Sequence, residues 1–183
     1  MAKLHPEIHE NDHQKGSETA TVTLTEYGDY QCPYCGEAHP VVQQIQETFG
    51  DKLRFVFRNF PLSNVHPRAM LAAIATEAAA KQNVYWEMHD LIFEHQDAIN
   101  YPSLVKYAAN LNIDVDAFKA DLDDPALQEK VESDFESGIR SGVNRTPSFF
   151  INGEKYEGTN TFEALKDAIS AVLYLNSNKK TAT

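Results

Sequence analysis

The chain has 183 residues, enough for one domain, or for one domain carrying a large insertion, with a core that needs no staples. A hydrophobic fraction of 42% and an aromatic fraction of 10% are globular values and argue against general disorder. The formal charge of −11 argues against nucleic acid or an anionic membrane surface as a main partner.

In chain order, Met1-Ala2-Lys3-Leu4-His5-Pro6-Glu7-Ile8-His9-Glu10 lacks the hydrophobic core of a secretory signal. No later apolar run approaches the roughly 18 residues that span a bilayer, so no membrane insertion is expected. A cytoplasmic location follows as the expectation, with a periplasmic or extracytoplasmic one open if a leader has been removed. Residues 1–17 are polar and expected to be a flexible tail. His5, His9 and His13 recur every four positions and would line up as a metal face on a helix. Pro6 and the polar neighbours favour a frayed tail instead.

Thr21-Val22-Thr23-Leu24-Thr25-Glu26-Tyr27 alternates and is β-rich, which predicts a strand with Val22, Leu24 and Glu26 on one face. A carboxylate in register with two core positions is unusual. Next comes Cys32-Pro33-Tyr34-Cys35, holding the only two cysteines of the chain. Val41, Val42, Ile45 and Phe49 then repeat with helical spacing up to Gly50. Pro33 suits the first turn of that helix, and Pro40 within it is expected to kink it. Leu53 to Phe60 reads as a second strand, which completes a β-α-β unit with room for a parallel crossover.

From Pro61 to about Ser141 the signals are helical. They comprise an Ala-rich run through Ala69–Glu77, an apolar segment Val84–Phe93, and a stripe of Leu104, Tyr107, Ala108 and Leu111. A short helix follows from Asp114 through Leu122, and then one capped by Asp124-Pro125. Strands return at Ser148-Phe149-Phe150-Ile151 and Glu154-Lys155-Tyr156-Glu157 around the hairpin signal Asn152-Gly153. Asn160 with Glu163 resembles a capping box for a final helix carrying Phe162, Leu165, Ile169, Val172 and Leu173. The domain reading is a tail over 1–17, one α/β domain from 18–62 and 142–176, an inserted helical subdomain over 63–141, and a polar tail over 177–183.

The cysteine pair carries the chemistry. At a helix start, both sulfurs share a turn and can form a short disulfide. The unpaired N–H groups and the positive end of the helix dipole favour thiolate over thiol. Cys32 comes first and would be the exposed nucleophile, with Cys35 the buried resolving thiol in thiol–disulfide exchange. Three other readings compete. Zinc would have the two cysteines and His39, but a second ligand pair is missing. An inert structural disulfide would close a loop too small to matter for stability. Two buried, functionless thiols fit poorly with Gly28, Asp29 and Gln31 nearby.

Taken together, strand, Cys-X-X-Cys at a helix start and Thr146-Pro147 before a strand hairpin resemble the thioredoxin fold. The helical block before Thr146 resembles its DsbA-like branch, over about residues 18 to 175. Tyr27 to Gly36, His89-Asp90-Leu91 and Thr146 to Gly153 carry the closer likeness to DsbA-family thioredoxin-domain proteins. The resemblance implies an α/β thioredoxin fold (βαβ…ββα) with an inserted all-helical subdomain. It implies a protein-disulfide oxidoreductase in which Cys32 is the nucleophile and Cys35 the resolving thiol. Pro147 matches the family's cis-proline, after Thr146, whose backbone pairs with an extended substrate. Glu26 matches the buried acid that relays a proton to the resolving thiol; its place on the core face fits a raised pKa.

No metal and no cofactor beyond the redox-active Cys32–Cys35 disulfide is expected. The expected partners are protein or peptide thiols and disulfides, plus a redox partner that resets the pair, with the chain a monomer. Pro33-Tyr34 departs from the family, lacking the histidine of strongly oxidising members and matching glutaredoxins, so oxidase, reductase and isomerase directions stay open. A thioredoxin-like binding protein with a regulatory cysteine pair and a glutathione-linked transferase are the alternatives. No histidine is assigned to catalysis; His66 and His89 are expected to be satisfied core or surface residues.

Overall fold

The computed structural model describes residues 2–180, with side chains described to Asn178. At its centre is β2 (Val22–Gly28), buried along its whole length. It runs parallel to β3 (Leu53–Asn59), with Glu26 opposite Phe57, across the crossover helix α1 (Pro33–Phe49). The helical insert follows: α2 (Ala69–Ala80), α3 (Tyr85–Glu94), α4 (Tyr101–Asn110), α5 (Val115–Asp121) and α6 (Pro125–Arg140). Then β4 (Ser148–Ile151) pairs antiparallel with the other side of β2, β5 (Glu154–Lys155) pairs with β4, and α7 (Phe162–Lys180) ends the fold. A strand buried on both faces has room for Thr23 and Thr25 as well as the apolar set, which is why its alternation is muted.

The capping signals are realised where a short polar side chain faces the first free N–H groups. Asp114 accepts from Asp116 and Ala117, and Asp124 accepts from Ala126 with Pro125 next. The expected capping box at Asn160 and Glu163 is replaced by Thr161, whose Oγ1 accepts from the Ala164 N–H at 3.4 Å. α1 continues through Pro40 to Phe49.

The flexible tail expected over 1–17 is a correction. His13–Gly16 forms a strand, β1, antiparallel to β3 on the edge of the sheet, in the order β1-β3-β2-β4-β5. Leu4 is buried and its N–H donates to the Gly153 carbonyl. The Arg58 guanidinium reaches from β3 to both carboxylate oxygens of Asp12 at 2.8 Å and to the carbonyls of Pro6 and Glu7. Burial alone would push the Asp12 carboxyl up, but the hydrogen bonds and charge of Arg58 hold it below its usual range. A polar edge strand has one half-exposed face and no alternation to read, so its partner 40 positions away is invisible in the local sequence. The expected tail over 177–183 is likewise corrected: residues 177–180 continue α7, and 181–183 lie outside the described residues.

His5, His9 and His13 do not share the face of a helix, since no helix forms over residues 2–16 and His13 lies in β1. His13 stacks on Tyr85 with centroids 3.5 Å apart and meets Glu77 Oε2 at 2.8 Å.

Candidate active site

Cys32 is the N-cap of α1, with Pro33 at the first helical position and no side chain capping the end. The N–H groups of Cys35 and Gly36 turn back to the Cys32 carbonyl at 3.1 Å. Both cysteines are free thiols and both are buried. Tyr34, by contrast, is 68% exposed and stands at the rim.

The two sulfurs live in opposite electrostatic settings. The Cys32 thiol is brought down to about 5. The hydrogen bond from the Cys35 thiol is the main cause, and it outweighs the cost of burial. Thr146 and the backbone N–H groups of Cys35 and Tyr34 add to it. Thr146 Oγ1 is buried without a hydrogen-bond partner, so its hydroxyl is available to a thiolate at Cys32. Cys35 is pushed well above the ordinary thiol range by burial, by its bond to Cys32 and by the charges of Glu26 and Cys32.

From the other side, β4 brings up the Thr146–Pro147 segment, whose peptide bond is cis. The Thr146 carbonyl accepts from Cys32 Sγ at 3.6 Å. Glu26, at the centre of β2, is fully buried, and burial followed by the charge of Cys32 raises its carboxyl to about 8. All five residues singled out by sequence, Glu26, Cys32, Cys35, Thr146 and Pro147, therefore lie around the start of α1. His39 does not join the cysteines as the zinc reading required. Among the described residues it groups with His89 and Asp90.

Three positioning residues escaped the sequence reading. Asp29 is buried one turn before Cys32. Its carboxylate accepts from the N–H groups of Gln31 and Leu62 and meets His66 Nδ1, each at 2.8 Å. Its own N–H donates to Cys35 Sγ at 3.4 Å. His66 precedes α2 and leans on this carboxylate. Gln96, from the turn after α3, donates to the carbonyls of Tyr30 and Cys32 at 2.8 and 2.9 Å. The absent side chain of Gly36 leaves the space its amide fills. An Asp ahead of a turn is a legible Asx signal. Gln96 lies 64 positions from Cys32 and leaves no local signal.

A family model described as Thioredoxin matches residues 9–171. Among curated proteins, a Na(+)/H(+) antiporter NhaA of Herminiimonas arsenicoxydans is 44% identical over 154 residues, covering 84% of this chain and 24% of the relative. Na(+)/H(+) antiporter NhaA 3 of Salinispora tropica is 41% identical over 160 residues, 87% of this chain and 24% of the relative. The chain thus spans about a quarter of the length of the curated relatives it matches. Among solved structures, alpha-DsbA1 of Wolbachia pipientis superposes with a TM-score of 0.82 at 26% identity, covering 94% of this chain and 96% of that one. Oxidised BdbD of Bacillus subtilis gives 0.80 at 26%, covering 89% and 93%.

Proposed function

This chain belongs to the thioredoxin family, in its DsbA-like branch of thiol–disulfide oxidoreductases, and from that premise we propose that Cys32 and Cys35 exchange disulfides with protein or peptide thiols. One observation carries the reading: a Cys32 thiol drawn down to about 5 stands beside a Cys35 thiol pushed up. That is the asymmetry a nucleophile and its resolving partner need.

In the reductive direction the Cys32 thiolate attacks a substrate disulfide. One substrate sulfur leaves as thiolate and a mixed disulfide forms on Cys32. Cys35 then loses its proton to Glu26 and attacks Cys32 Sγ. The second substrate thiolate departs, two electrons have passed to the substrate, and the Cys32–Cys35 disulfide remains. The oxidative direction reverses every step. A carboxyl near 8 can hold or release that proton around neutrality, which is the role proposed for Glu26.

The substrate segment is proposed to lie in the cleft of ≈ 480 Å³ bounded by Tyr34, Thr146, Pro147, Phe149 and Tyr156. There it would pair with the Thr146 backbone as an added strand. A separate redox partner resets the cysteine pair, and the chain acts as a monomer. The cytoplasmic setting is part of the same proposal and rests on cysteine usage, one close pair instead of a disulfide framework. Among the described residues no helix is long and apolar enough to cross a membrane. Antiport is what the names of the curated relatives state, and it is not carried over to this chain, which spans about a quarter of their length.

The test is Cys32→Ser assayed for insulin-type disulfide reduction and for dithiol oxidation. Loss of both is expected; retention of both would falsify the proposal. Cys35→Ala should strand substrates on Cys32 as mixed disulfides that can be isolated and identified.

A further inference from the structure

Behind the cysteine site, His39 on α1 meets His89 and Asp90 on α3, and their ligating atoms all lie within 4.8 Å of one another. His39 Nε2 is 3.5 Å from Asp90 Oδ1. Both imidazoles are fixed by aromatic packing. His39 stacks on Phe93 with centroids 5.0 Å apart, and His89 is edge-on to Phe57, Trp86 and Phe93.

His89 is anchored by a contact outside the cluster. Its Nδ1 lies 2.8 Å from the Tyr30 hydroxyl. With the proton on Nδ1 and donated to Tyr30, Nε2 keeps its lone pair. An outer hydrogen bond on the second ring nitrogen orients metal-ligating histidines. Both rings are buried, held between α1 and α3.

A plain His39–Asp90 ion pair explains the cluster less well, because it leaves out His89, which lies within 4.8 Å of both. The cation facing Asp90 is Lys15, 4.0 Å from Oδ2 with a side chain 44% exposed, and it can swing into solvent. Asp90 also feels Glu87 and Glu94 on its own helix, so the mouth of the cluster is rich in negative charge.

We propose that His39, His89 and Asp90 bind a borderline divalent transition-metal ion of the zinc type, tying the active-site helix α1 to α3 of the insert. Two imidazoles and one carboxylate suit zinc, nickel or copper better than magnesium or calcium, and three protein ligands leave a fourth position for water. Gln43 Nε2 lies 3.2 Å from His39 Nε2 and occupies that lone pair in the metal-free chain. It must turn aside on binding. His39 is one turn beyond Cys35 on the same helix, so a bound ion would brace the helix that presents the thiols.

The test uses the full chain carrying Cys32→Ser and Cys35→Ser, because the native thiols would bind metal by themselves. After chelation it is titrated with cobalt as the spectroscopic probe, and zinc is then added in competition. One equivalent of cobalt with nitrogen and oxygen ligands, displaced by zinc but not by excess magnesium or calcium, is expected. His39→Gln and Asp90→Asn should each weaken binding by about tenfold or more. Lys15→Met leaves the ligands intact and should tighten it, so the outcome does not hang on one variant folding. No uptake overturns the proposal. Uptake that survives both ligand variants, as it would at a site elsewhere on the chain, overturns it as well, and so does an affinity unmoved by Lys15→Met.

Discussion

Cys32 Sγ donates to the Thr146 carbonyl across 3.6 Å, joining the start of α1 to the entry of β4 over 114 positions of sequence. Ionising the thiol removes that donor and gives the sulfur the unpaired Thr146 hydroxyl and the N–H groups of Tyr34 and Cys35 instead. Alkylation of the reduced protein by iodoacetamide should therefore follow a single thiol with a midpoint near pH 5, while Cys35 stays unmodified until the chain is unfolded. A midpoint near 9, or equal labelling of both cysteines, would contradict the site as described.

The same shift bears on the redox equilibrium. A Cys32 of about 5 in the fold against 9.0 in the unfolded chain stabilises the reduced protein progressively as pH rises from 5 to 9. At pH 7 that contribution is about 2–3 kcal/mol, or about 60 mV in reduction potential. Reduced protein should melt above oxidised protein at pH 7, with the gap wider at pH 8 and nearly closed at pH 5. An oxidised form that melts higher throughout would count against it.

Glu26 acts on stability with the opposite sign. Its carboxyl sits near 8 in the fold against 4.5 outside, so the native state holds a proton that the unfolded chain gives up between those values. Stability falls over that window, by about 3 kcal/mol at pH 7. Glu26→Gln should be more stable than the parent at pH 7, about equal to it at pH 4.5, and slower in the resolving step. Denaturant melts at the two pH values decide the first point, and the lifetime of the mixed disulfide decides the second.

Asp29→Ala leaves the N–H groups of Gln31 and Leu62 and the His66 ring without their acceptor. A fully buried donor left unpaired costs about 1–3 kcal/mol, and these three bonds are part-buried, so a loss of about 2 kcal/mol is expected. Hydrogen exchange should rise at Gln31 and Leu62 first. Unchanged protection there would show that Asp29 does not hold the loop.

Asp12→Ala strands the buried Arg58 guanidinium and should cost about 3–5 kcal/mol. The folded Asp12 carboxyl lies below its usual value, so its contribution is present above about pH 4 and is lost as pH falls through the lowered value. The parent should lose stability over that acid range more steeply than Asp12→Ala. Parallel acid limbs would exclude the pair as the reason residues 2–16 are fixed.

What the sequence determined by itself was the local and the periodic. The β-α-β order, the five helices of the insert and the cysteine pair at a helix start were all legible, since alternation, helical spacing, Asp caps and a Cys-X-X-Cys spacing act within a few residues. Glu26 was legible as well, because a carboxylate on a core face contradicts its own pattern. Tertiary structure decided the rest. That β1 is a strand depends on its pairing with β3, and that Gln96 reaches the carbonyls of Tyr30 and Cys32 depends on where α3 ends. The grouping of His39 with His89 and Asp90, instead of with the cysteines, depends on how α1 lies against the insert. Such contacts are chosen by packing between distant elements, and a single sequence holds no local periodicity from which to read them.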